Sequence, residues 1–319
     1  MPRKKAKSQA TTHSAAAARA KASSPARPAP PTVSGRWILG AVAGVVAGAA
    51  VCVWLVLCLL FWQGNWQLLY HPASTVAQTP AGAGLAFDPI GFAVAADGVP
   101  QLSGWWIPAA SDSRYRRYTV LYLHGQNGNL GDTISALAQL HEAGVNVFAF
   151  DYRGYGQSKP AHPSEAHWLE DAGWALDYLT ETRHIDPHSI VVHGKDLGAN
   201  LALEFADAHH ELAGVMVDSP LTDATRPIFA DGRARTVPAH LLVRDRYRLL
   251  PAAAGLTIPS LWFLPSQTNA AAGSTSIDTA AFEHTPSRKM FVWLPPGQPS
   301  NARFAEAFTR WLDELSADR

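Results

Sequence analysis

The stretch Ile190–Gly198 reads IVVHGKDLG: a short apolar run, a histidine, and then two glycines with an aspartate midway between them. The frame G-x-S-x-G, in which a strand turns sharply into a helix, holds its central side chain at the carboxyl edge of a parallel sheet. Here Asp196 stands where that frame usually has serine. The stretch therefore predicts a strand–turn–helix unit with a carboxylate, not a hydroxyl, at its centre.

Short apolar runs recur on both sides of this unit, and their length is typical of strands that are buried on both faces. Helical stretches separate the runs; the clearest begins near Pro163 and the last covers residues 301 to about 317. Such alternation predicts an α/β fold with a mostly parallel sheet and helices on both faces. The runs lie at residues 118–123, 145–150, 190–192, 214–217, 260–264 and 290–294.

Two segments depart from the strand–helix alternation. A hairpin precedes it, with strands at Ile90–Ala95 and Gln101–Ile107 and a turn at Asp97-Gly98. Residues 220–257 interrupt it, and we predict an insertion over the edge of the sheet there. The predicted domain thus covers residues 89–319.

Four segments carry a family resemblance: LYLHGQNGNLGD from Leu121, FAFDYRGYGQS from Phe148, PSEAHWLEDA from Pro163 and HGKDLGANLALEFA from His193. Together they resemble the α/β-hydrolase superfamily, and within it the single-pass membrane members with serine-aminopeptidase-like cores. The resemblance is strong over about residues 86–222 and weak in the last third. It implies hydrolysis of an ester, thioester or amide by a Ser–Asp–His triad. The backbone N–H groups of Gln126 and Leu197 would form the oxyanion hole.

The chain departs from that family pattern at all three members of the triad. Asp196 takes the place of the nucleophile. The acid normally follows the strand read at residues 260–264, but Leu264–Asn269 contains no carboxylate, and Thr268 or Asn269 occupies its place. The base normally follows the last strand, yet no histidine occurs after His284. A triad needs a base that removes a proton and an acid that orients the base.

Two interpretations of Asp196 follow. In the first, the carboxylate caps the helix that follows it and fills the empty oxyanion hole as a plug. In the second, Asp196 is itself a nucleophile, as in haloalkane dehalogenases and epoxide hydrolases, where the carboxylate attacks carbon and a histidine activates water to cleave the ester. Those enzymes usually carry Trp where this chain has Leu197. His284 is then the candidate base, if the preceding loop folds over the site.

These interpretations define two classes of function. The first is a catalytically degenerate serine hydrolase that binds an acyl-type small ligand or a protein partner. The second is an active hydrolase for an ester, thioester, epoxide or haloalkane that uses Asp196. The sequence shows no phosphate-binding loop, dinucleotide fingerprint or zinc spacing, so we expect no cofactor and no metal.

The amino-terminal part predicts a tail and a membrane anchor. Residues 1–36 carry eight Lys or Arg and no acid, are rich in Ala, Ser and Pro, and are expected to be disordered. Residues 37–62 are almost wholly apolar, with Trp37 at one end and Trp62 at the other, as in a transmembrane signal-anchor helix. Residues 63–88, with scattered Pro and Gly, indicate a linker.

The charge distribution sets the expected topology and partners. The basic flank lies entirely before the span, which places the amino terminus in the cytoplasm and the domain in the periplasm or another extracytoplasmic space. Residues 37–319 hold 18 basic and 26 acidic residues, which argues against nucleic acid as a partner. Both cysteines, Cys52 and Cys58, lie in the span, which excludes a thiol nucleophile in the domain. Small residues at four-residue spacing suggest a homodimer through Gly40, Gly44 and Gly48.

Overall fold

The computed structural model describes residues 34–269, 274–277, 279–294 and 301–317. Its helices are α1 Gly35–Gly64, α2 Ile134–Glu142, α3 Glu165–Asp177, α4 Leu197–Ala208, α5 Arg226–Ala230, α6 Ala239–Leu242, α7 Leu249–Gly255, α8 Ala280–His284 and α9 Asn301–Ala317. Its strands are β1 His71–Pro72, β2 Asp88–Val94, β3 Pro100–Ile107, β4 Thr119–Leu123, β5 Asn127–Gly128, β6 Asn146–Asp151, β7 Ile190–Lys195, β8 Gly214–Asp218, β9 Ser260–Asn269, β10 Ser274–Ile277 and β11 Lys289–Leu294.

The main sheet is mostly parallel, as the strand–helix alternation predicts. Its order is β10-β9-β8-β7-β4-β6-β3-β2, and β11 pairs in parallel with β9. The hairpin β2–β3 is antiparallel and joins the sheet through β6. In the centre, Leu123 of β4 lies opposite Gly194 of β7, and Lys195 of β7 lies opposite Asp218 of β8. The carboxyl ends of β4, β7 and β8 therefore meet where the Gly194–Gly198 turn lies.

Apolar layers cover both faces of the sheet, because neighbouring residues of a strand point to opposite sides. Val192 of β7 packs in one layer with Trp168 of α3 and Leu203 of α4. Val191 packs in the other layer with Leu137 of α2 and Phe308 of α9. All six side chains are buried. This three-layer packing fixes the orientation of β7 and hence the turn at its end.

Strand β9 is longer than the predicted strand at residues 260–264. It continues to Asn269 and pairs antiparallel with β10, so that Thr268 lies opposite Thr275 and Asn269 opposite Ser274. The segment in which the family resemblance places the triad acid is therefore part of a β-hairpin and not the loop that we expected. Backbone pairing, which extends the strand past Leu264, is the physical reason.

The stretch 63–88 contains residues that pack into the domain, although its composition indicates a linker. Leu69 and Tyr70 are buried, and the Tyr70 hydroxyl lies 2.6 Å from Asp245 Oδ2 and 2.8 Å from the Tyr247 hydroxyl. His71 N–H donates to the Gln126 carbonyl at 2.9 Å. The Tyr70 contacts attach the segment after α1 to residues 220–257, which contain the short helices α5 to α7. The His71 bond attaches it to the residues after β4.

Helix α1 extends the predicted span 37–62 by two residues at each end. By length and composition it could cross a membrane, a criterion that a signal sequence near an amino terminus also meets. Phe61 is the one buried residue among its described positions.

Candidate active site

The backbone at Asp196 adopts the turn that the glycine frame predicts. Asp196 has φ of +53° and ψ of −122°, a conformation that residues with a side chain rarely adopt. Its N–H donates to the Asp218 carbonyl at 2.9 Å, and its own carbonyl accepts from the Ala199 N–H at 3.0 Å. The turn is therefore held by main-chain bonds between β7, β8 and α4, whichever side chain stands at its centre.

The two frame glycines are required by packing. A Cβ atom on Gly194 would overlap the Gly198 carbonyl, and a Cβ on Gly198 would overlap the carbonyls of Leu123 and His124. Helix α4 can approach β4 and β7 this closely only when both positions lack a side chain. Both glycines are thus needed for the packing of α4 on the sheet, so their presence does not distinguish an active enzyme from an inactive one.

A largely polar cleft of about 420 Å³ opens beside the turn, between α2 and α9. Asp196, Asp218, Lys195 and His193 line it from the ends of β7 and β8. The remaining lining residues come from β4, α9, and the segment from Gly125 to α2: Tyr122, Gly125, Asn127, Asp132, Thr133, Ser135, Ala136, Gln139 and Phe304.

The Asp196 carboxylate points towards Gly125 and not towards the start of α4. An ideal Cβ on Gly125 would lie 3.3 Å from Asp196 Oδ2, and the described residues show no capping bond from the Asp196 side chain. Burial raises the pKa of Asp196, and the nearby Lys195 ammonium opposes the rise. The interpretation of Asp196 as a helix cap is therefore corrected: the positive φ directs its carboxylate into the cleft.

A side chain accepts a hydrogen bond from one of the two N–H groups that the resemblance assigns to an oxyanion hole. The Leu197 N–H, which resemblance makes one of its two donors, donates to Gln126 Oε1 at 3.2 Å. The Gln126 carbonyl in turn accepts from the His71 N–H and from the Tyr155 hydroxyl, both at 2.9 Å. The Gln126 side chain thus contacts the turn, while its backbone carbonyl is bonded to His71 and Tyr155. The Leu197 N–H, which we expected to bond to the Asp196 carboxylate, is bonded to Gln126 instead.

Asp218 is a second carboxylate in the cleft. Its Oδ1 accepts a hydrogen bond from the Ser219 hydroxyl at 2.8 Å. Burial raises the pKa of Asp218; the Ser219 bond and Lys195 lower it, and the negative charge of Asp196 raises it. Two carboxylates and one ammonium therefore share this end of the sheet.

His193 also lines the cleft, a position that our sequence analysis did not predict. It is 2% exposed, and neither ring nitrogen has a hydrogen-bond partner among the described residues. The ring lies edge-on to Tyr122 and stacks on Phe304, with centroid distances of 5.1 and 5.9 Å. Burial, with a smaller effect of Lys195, lowers the pKa of His193 to about 3. The period-two alternation of β7, which gives His193 the same face as Val191, is the signal that could have found it.

His284, the speculative base, lies at the other end of the sheet. It ends α8, its Nδ1 is 2.7 Å from the Ala280 carbonyl, and its side chain is exposed. The Lys289 ammonium, at the start of β11, lies 2.7 Å from the Phe282 carbonyl in the same helix. Lys289 is opposite Ser260, the first residue of β9, and parallel strands start at the edge away from the Asp196 turn. The described structure therefore does not bring His284 to Asp196.

The remaining histidine near the turn, His124, belongs to the core. It is 1% exposed among the rings of Tyr152, Tyr155 and Trp168, and burial lowers its pKa to about 4. Its Nδ1 lies 2.8 Å from the Gly125 carbonyl. Within the described part of the chain, no group of three His, Cys, Asp or Glu side chains could hold a metal ion.

These features define a protein of the α/β-hydrolase class with an altered nucleophile turn. The sequence model of the α/β-hydrolase fold family matches residues 118–306, which is more than half of the chain. The chain belongs to this family.

Individual proteins resemble this chain in sequence or in fold. The uncharacterized protein YfhR of Salmonella typhimurium is 37% identical over 136 residues, which are 42% of this chain and 44% of YfhR. The uncharacterized protein Rv2307c of Mycobacterium tuberculosis is 28% identical over 208 residues, 64% of this chain and 69% of that protein. The matches to YfhR thus span less than half of its length. A structure of the Pyrococcus furiosus esterase Pf2001 superposes with a TM-score of 0.57 at 19% identity, over 76% of this chain and 98% of the esterase.

Proposed function

We propose that this chain is a membrane-anchored α/β-hydrolase-fold protein that binds a small ligand in the Asp196 cleft and does not hydrolyse it. The observation that carries the proposal is the hydrogen bond from the Leu197 N–H to Gln126 Oε1 beside a carboxylate nucleophile position. A hydrolase of the serine type needs that N–H free to stabilise the oxyanion, and it needs a hydroxyl to attack.

The other two members of the triad support the same conclusion. The segment that would carry the acid lies in the β9–β10 hairpin, and the residues after β11 contain no histidine. A serine at position 196 alone would not restore the family triad, because the positions of its acid and its base carry neither a carboxylate nor a histidine. The cleft itself persists, and its volume and polar lining suit a small polar or acyl-type ligand.

The experiment is an activity panel on the full chain in detergent. It uses short and long acyl esters, thioesters, epoxides and haloalkanes, beside Asp196→Asn and the control Asp112→Asn, an exposed carboxylate outside the cleft. We expect no turnover by any of the three proteins. Turnover that is lost in Asp196→Asn and kept in Asp112→Asn would overturn the proposal and identify the bond that is cleaved.

The position of His193 favours an active hydrolase as a second candidate. His193 and Asp196 line one cleft, and both ring nitrogens of His193 lack a partner among the described residues. In this candidate the Asp196 carboxylate would attack the substrate carbon and form an ester, as halide leaves a haloalkane or as an epoxide C–O bond breaks and its oxygen takes a proton from water. His193 would then take a proton from the water that cleaves the ester, which releases the alcohol and restores the Asp196 carboxylate. Mass spectrometry of a His193→Gln variant after incubation with epoxides and haloalkanes tests this, because a stalled ester would remain attached to Asp196.

The anchoring part of the proposal is supported by α1 and by the charge of the sequence before it. Helix α1 is long enough to cross a bilayer, and the eight basic residues of segment 1–36 lie before it or in its first turn. We infer a cytoplasmic amino terminus and a domain on the opposite, periplasmic side. Membranes washed with alkaline carbonate should retain the protein, and release without detergent would contradict the anchor. Protease added outside sealed spheroplasts should digest the domain.

A further inference from the structure

We propose that residues 226–250, the basic segment, lie on the anionic headgroup layer of the bilayer that α1 enters. This proposal rests on the membrane anchor proposed above and assigns a lipid-docking surface to the domain. The occupant is a phospholipid surface with negative headgroups.

The first observation is that positive charge is concentrated in this segment. It contains six Arg and two Asp, and neither Lys nor Glu. The six Arg are a third of the 18 basic residues in segment 37–319. The rest of segment 37–319 has 12 basic and 24 acidic residues. A local excess of positive charge on an otherwise acidic domain is the electrostatic pattern that anionic membranes attract. The arginines are Arg226, Arg233, Arg235, Arg244, Arg246 and Arg248.

The second observation is that these charges are available. All six arginines are exposed. Of the two acids, Asp231 pairs with Arg233, and Asp245 is buried and accepts a hydrogen bond from Tyr70. Arg226 and Arg235 form no side-chain hydrogen bond or ion pair with the described residues. At least these two guanidinium groups are therefore free to meet phosphate oxygens.

The third observation is that large apolar side chains lie exposed among the arginines. Leu241 is 83% exposed, the highest value among the exposed large apolar residues of the described chain, and Leu250 is 47% exposed. From Val243 to Leu250 the residues alternate between buried and exposed, which places Leu250 on the same side as Arg244, Arg246 and Arg248. Exposed Leu beside Arg is the composition of surfaces that insert shallowly between headgroups.

The fourth observation is that the segment packs against the last turns of α1. Trp54 Nε1 donates to the Thr236 carbonyl at 3.1 Å, and Arg244 lies 5.8 Å from the centroid of the Trp62 ring. A groove of about 370 Å³ lies between the two elements. Its lining includes Leu57, Leu60, Phe61, Arg233 and Val237. The helix therefore holds the basic segment beside the point at which it leaves the bilayer.

This packing also shifts the expected end of the membrane span. A polar segment cannot lie deep in the hydrocarbon core, so residues from Trp54 onward belong to the interface. From Trp37 to Trp54 the helix rises by about 26 Å, close to the thickness of that core. The bilayer exit then lies near Trp54 and not at Trp62, the end of the span that composition alone indicates.

The experiment uses the full chain in vesicles. In a Cys52→Ala, Cys58→Ala background, Leu241→Cys carries an NBD label, and the control label is at Val99→Cys in the turn between β2 and β3, where Val99 is 57% exposed. The vesicles are phosphatidylcholine, or phosphatidylcholine and phosphatidylglycerol in equal parts, with a nitroxide on shallow lipid positions. In anionic vesicles we expect a blue shift and nitroxide quenching of the label at position 241, and neither for the label at position 99.

Charge variants complete the test. Arg226→Glu with Arg235→Glu should abolish the quenching at position 241, and so should high salt, because both weaken surface electrostatics. Arg114→Glu with Arg116→Glu, an equal charge change in the loop before β4, should leave the quenching intact.

Two failures are distinguishable. A label at position 241 that stays unquenched in carbonate-resistant, vesicle-bound protein would overturn the docking surface and leave the anchor standing. Release of the protein from the vesicles by carbonate would overturn the anchor itself. A label that changes only when a soluble acidic protein is added would show a protein partner and would also overturn the lipid proposal.

Discussion

At the scale of single residues, Asp196 combines two unfavourable features in one position. Its φ of +53° strains any residue with a Cβ, and burial raises the pKa of its carboxylate, which means that the folded state disfavours the charged form. Such strain is typical of a turn that was shaped to present a nucleophile. A protein that only binds its ligand does not require this backbone strain.

Asp196→Gly should therefore be more stable than Asp196→Ala. Glycine adopts this backbone conformation without steric strain, and we expect Asp196→Gly to exceed Asp196→Ala by about 1 kcal/mol in the free energy of unfolding. Chemical denaturation of both variants in detergent measures the difference. Because each variant removes the carboxylate, a Gly variant no more stable than the Ala variant would show that the turn is unstrained.

His193 predicts a specific pH dependence. A buried histidine whose folded pKa is about 3, against 6.5 in the unfolded chain, contributes stability above pH 6.5 that is lost as pH falls through that value. At pH 5 the loss is about 2 kcal/mol. His193→Phe removes this loss, so its stability relative to the wild type should rise by about that amount between pH 7.5 and pH 5. Urea unfolding at both pH values tests this, and parallel curves for the two proteins would contradict the burial of His193.

At the scale of elements, the contact of Tyr70 with the insertion attaches the segment after α1 to the domain. The Tyr70 hydroxyl donates a hydrogen bond to Oδ2 of the buried Asp245. Asp245 Oδ1 also accepts a hydrogen bond, at 3.2 Å, from the N–H of Glu165 at the start of α3. Burial first, and then the negative Asp245, raises the pKa of Tyr70. The proton thus stays on the hydroxyl and is donated to the carboxylate.

Tyr70→Phe should weaken this attachment. The change leaves a buried carboxylate with one partner fewer, and we expect a loss of about 1–3 kcal/mol in the free energy of unfolding, with faster proteolysis in residues 226–250. Tyr115→Phe is the matched control, because the Tyr115 hydroxyl also donates to a carboxylate, Asp313 at 2.8 Å, at a half-buried site. Equal losses in the two variants would show that burial of Tyr70 adds nothing.

Much of the element order follows from the sequence, and the failures have a common cause. The hairpin β2–β3 and the buried central strands β4, β6, β7 and β8 follow from apolar runs and turn residues. The continuation of β9 to Asn269 and the packing of Tyr70 do not, because both depend on partners distant in sequence, β10 and Asp245. A local sequence pattern indicates which secondary structure a segment favours. Which distant segments pair with each other is decided only by the fold.

At the scale of the whole molecule, α1 presents its small residues outward. Gly40, Gly44 and Gly48 have no neighbour within 4 Å of an added Cβ, so a second copy of the helix could approach along this stripe. We propose that the stripe supports a homodimer in the membrane. Such packing relies on close backbone contact, which a bulky side chain prevents.

Gly44→Leu should therefore weaken self-association. In vesicles, energy transfer between separately labelled copies should fall severalfold in Gly44→Leu, whereas Ala49→Leu, on the opposite side of α1, should leave it unchanged. Equal energy transfer in both variants and the wild type, at the same lipid dilution, would exclude the glycine stripe as the contact.

The sequence by itself determined the family, the glycine frame, the apolar helix and the absence of serine and histidine at the triad positions. These properties are local: a strand of buried residues, two glycines and a missing side chain can be read without knowing any neighbour. Only the tertiary structure decided that Gln126 takes the Leu197 N–H, that His193 shares the cleft with Asp196, and that His284 lies at the far edge. Each of these depends on which strand ends meet, because parallel pairing brings residues far apart in sequence to one edge of the sheet.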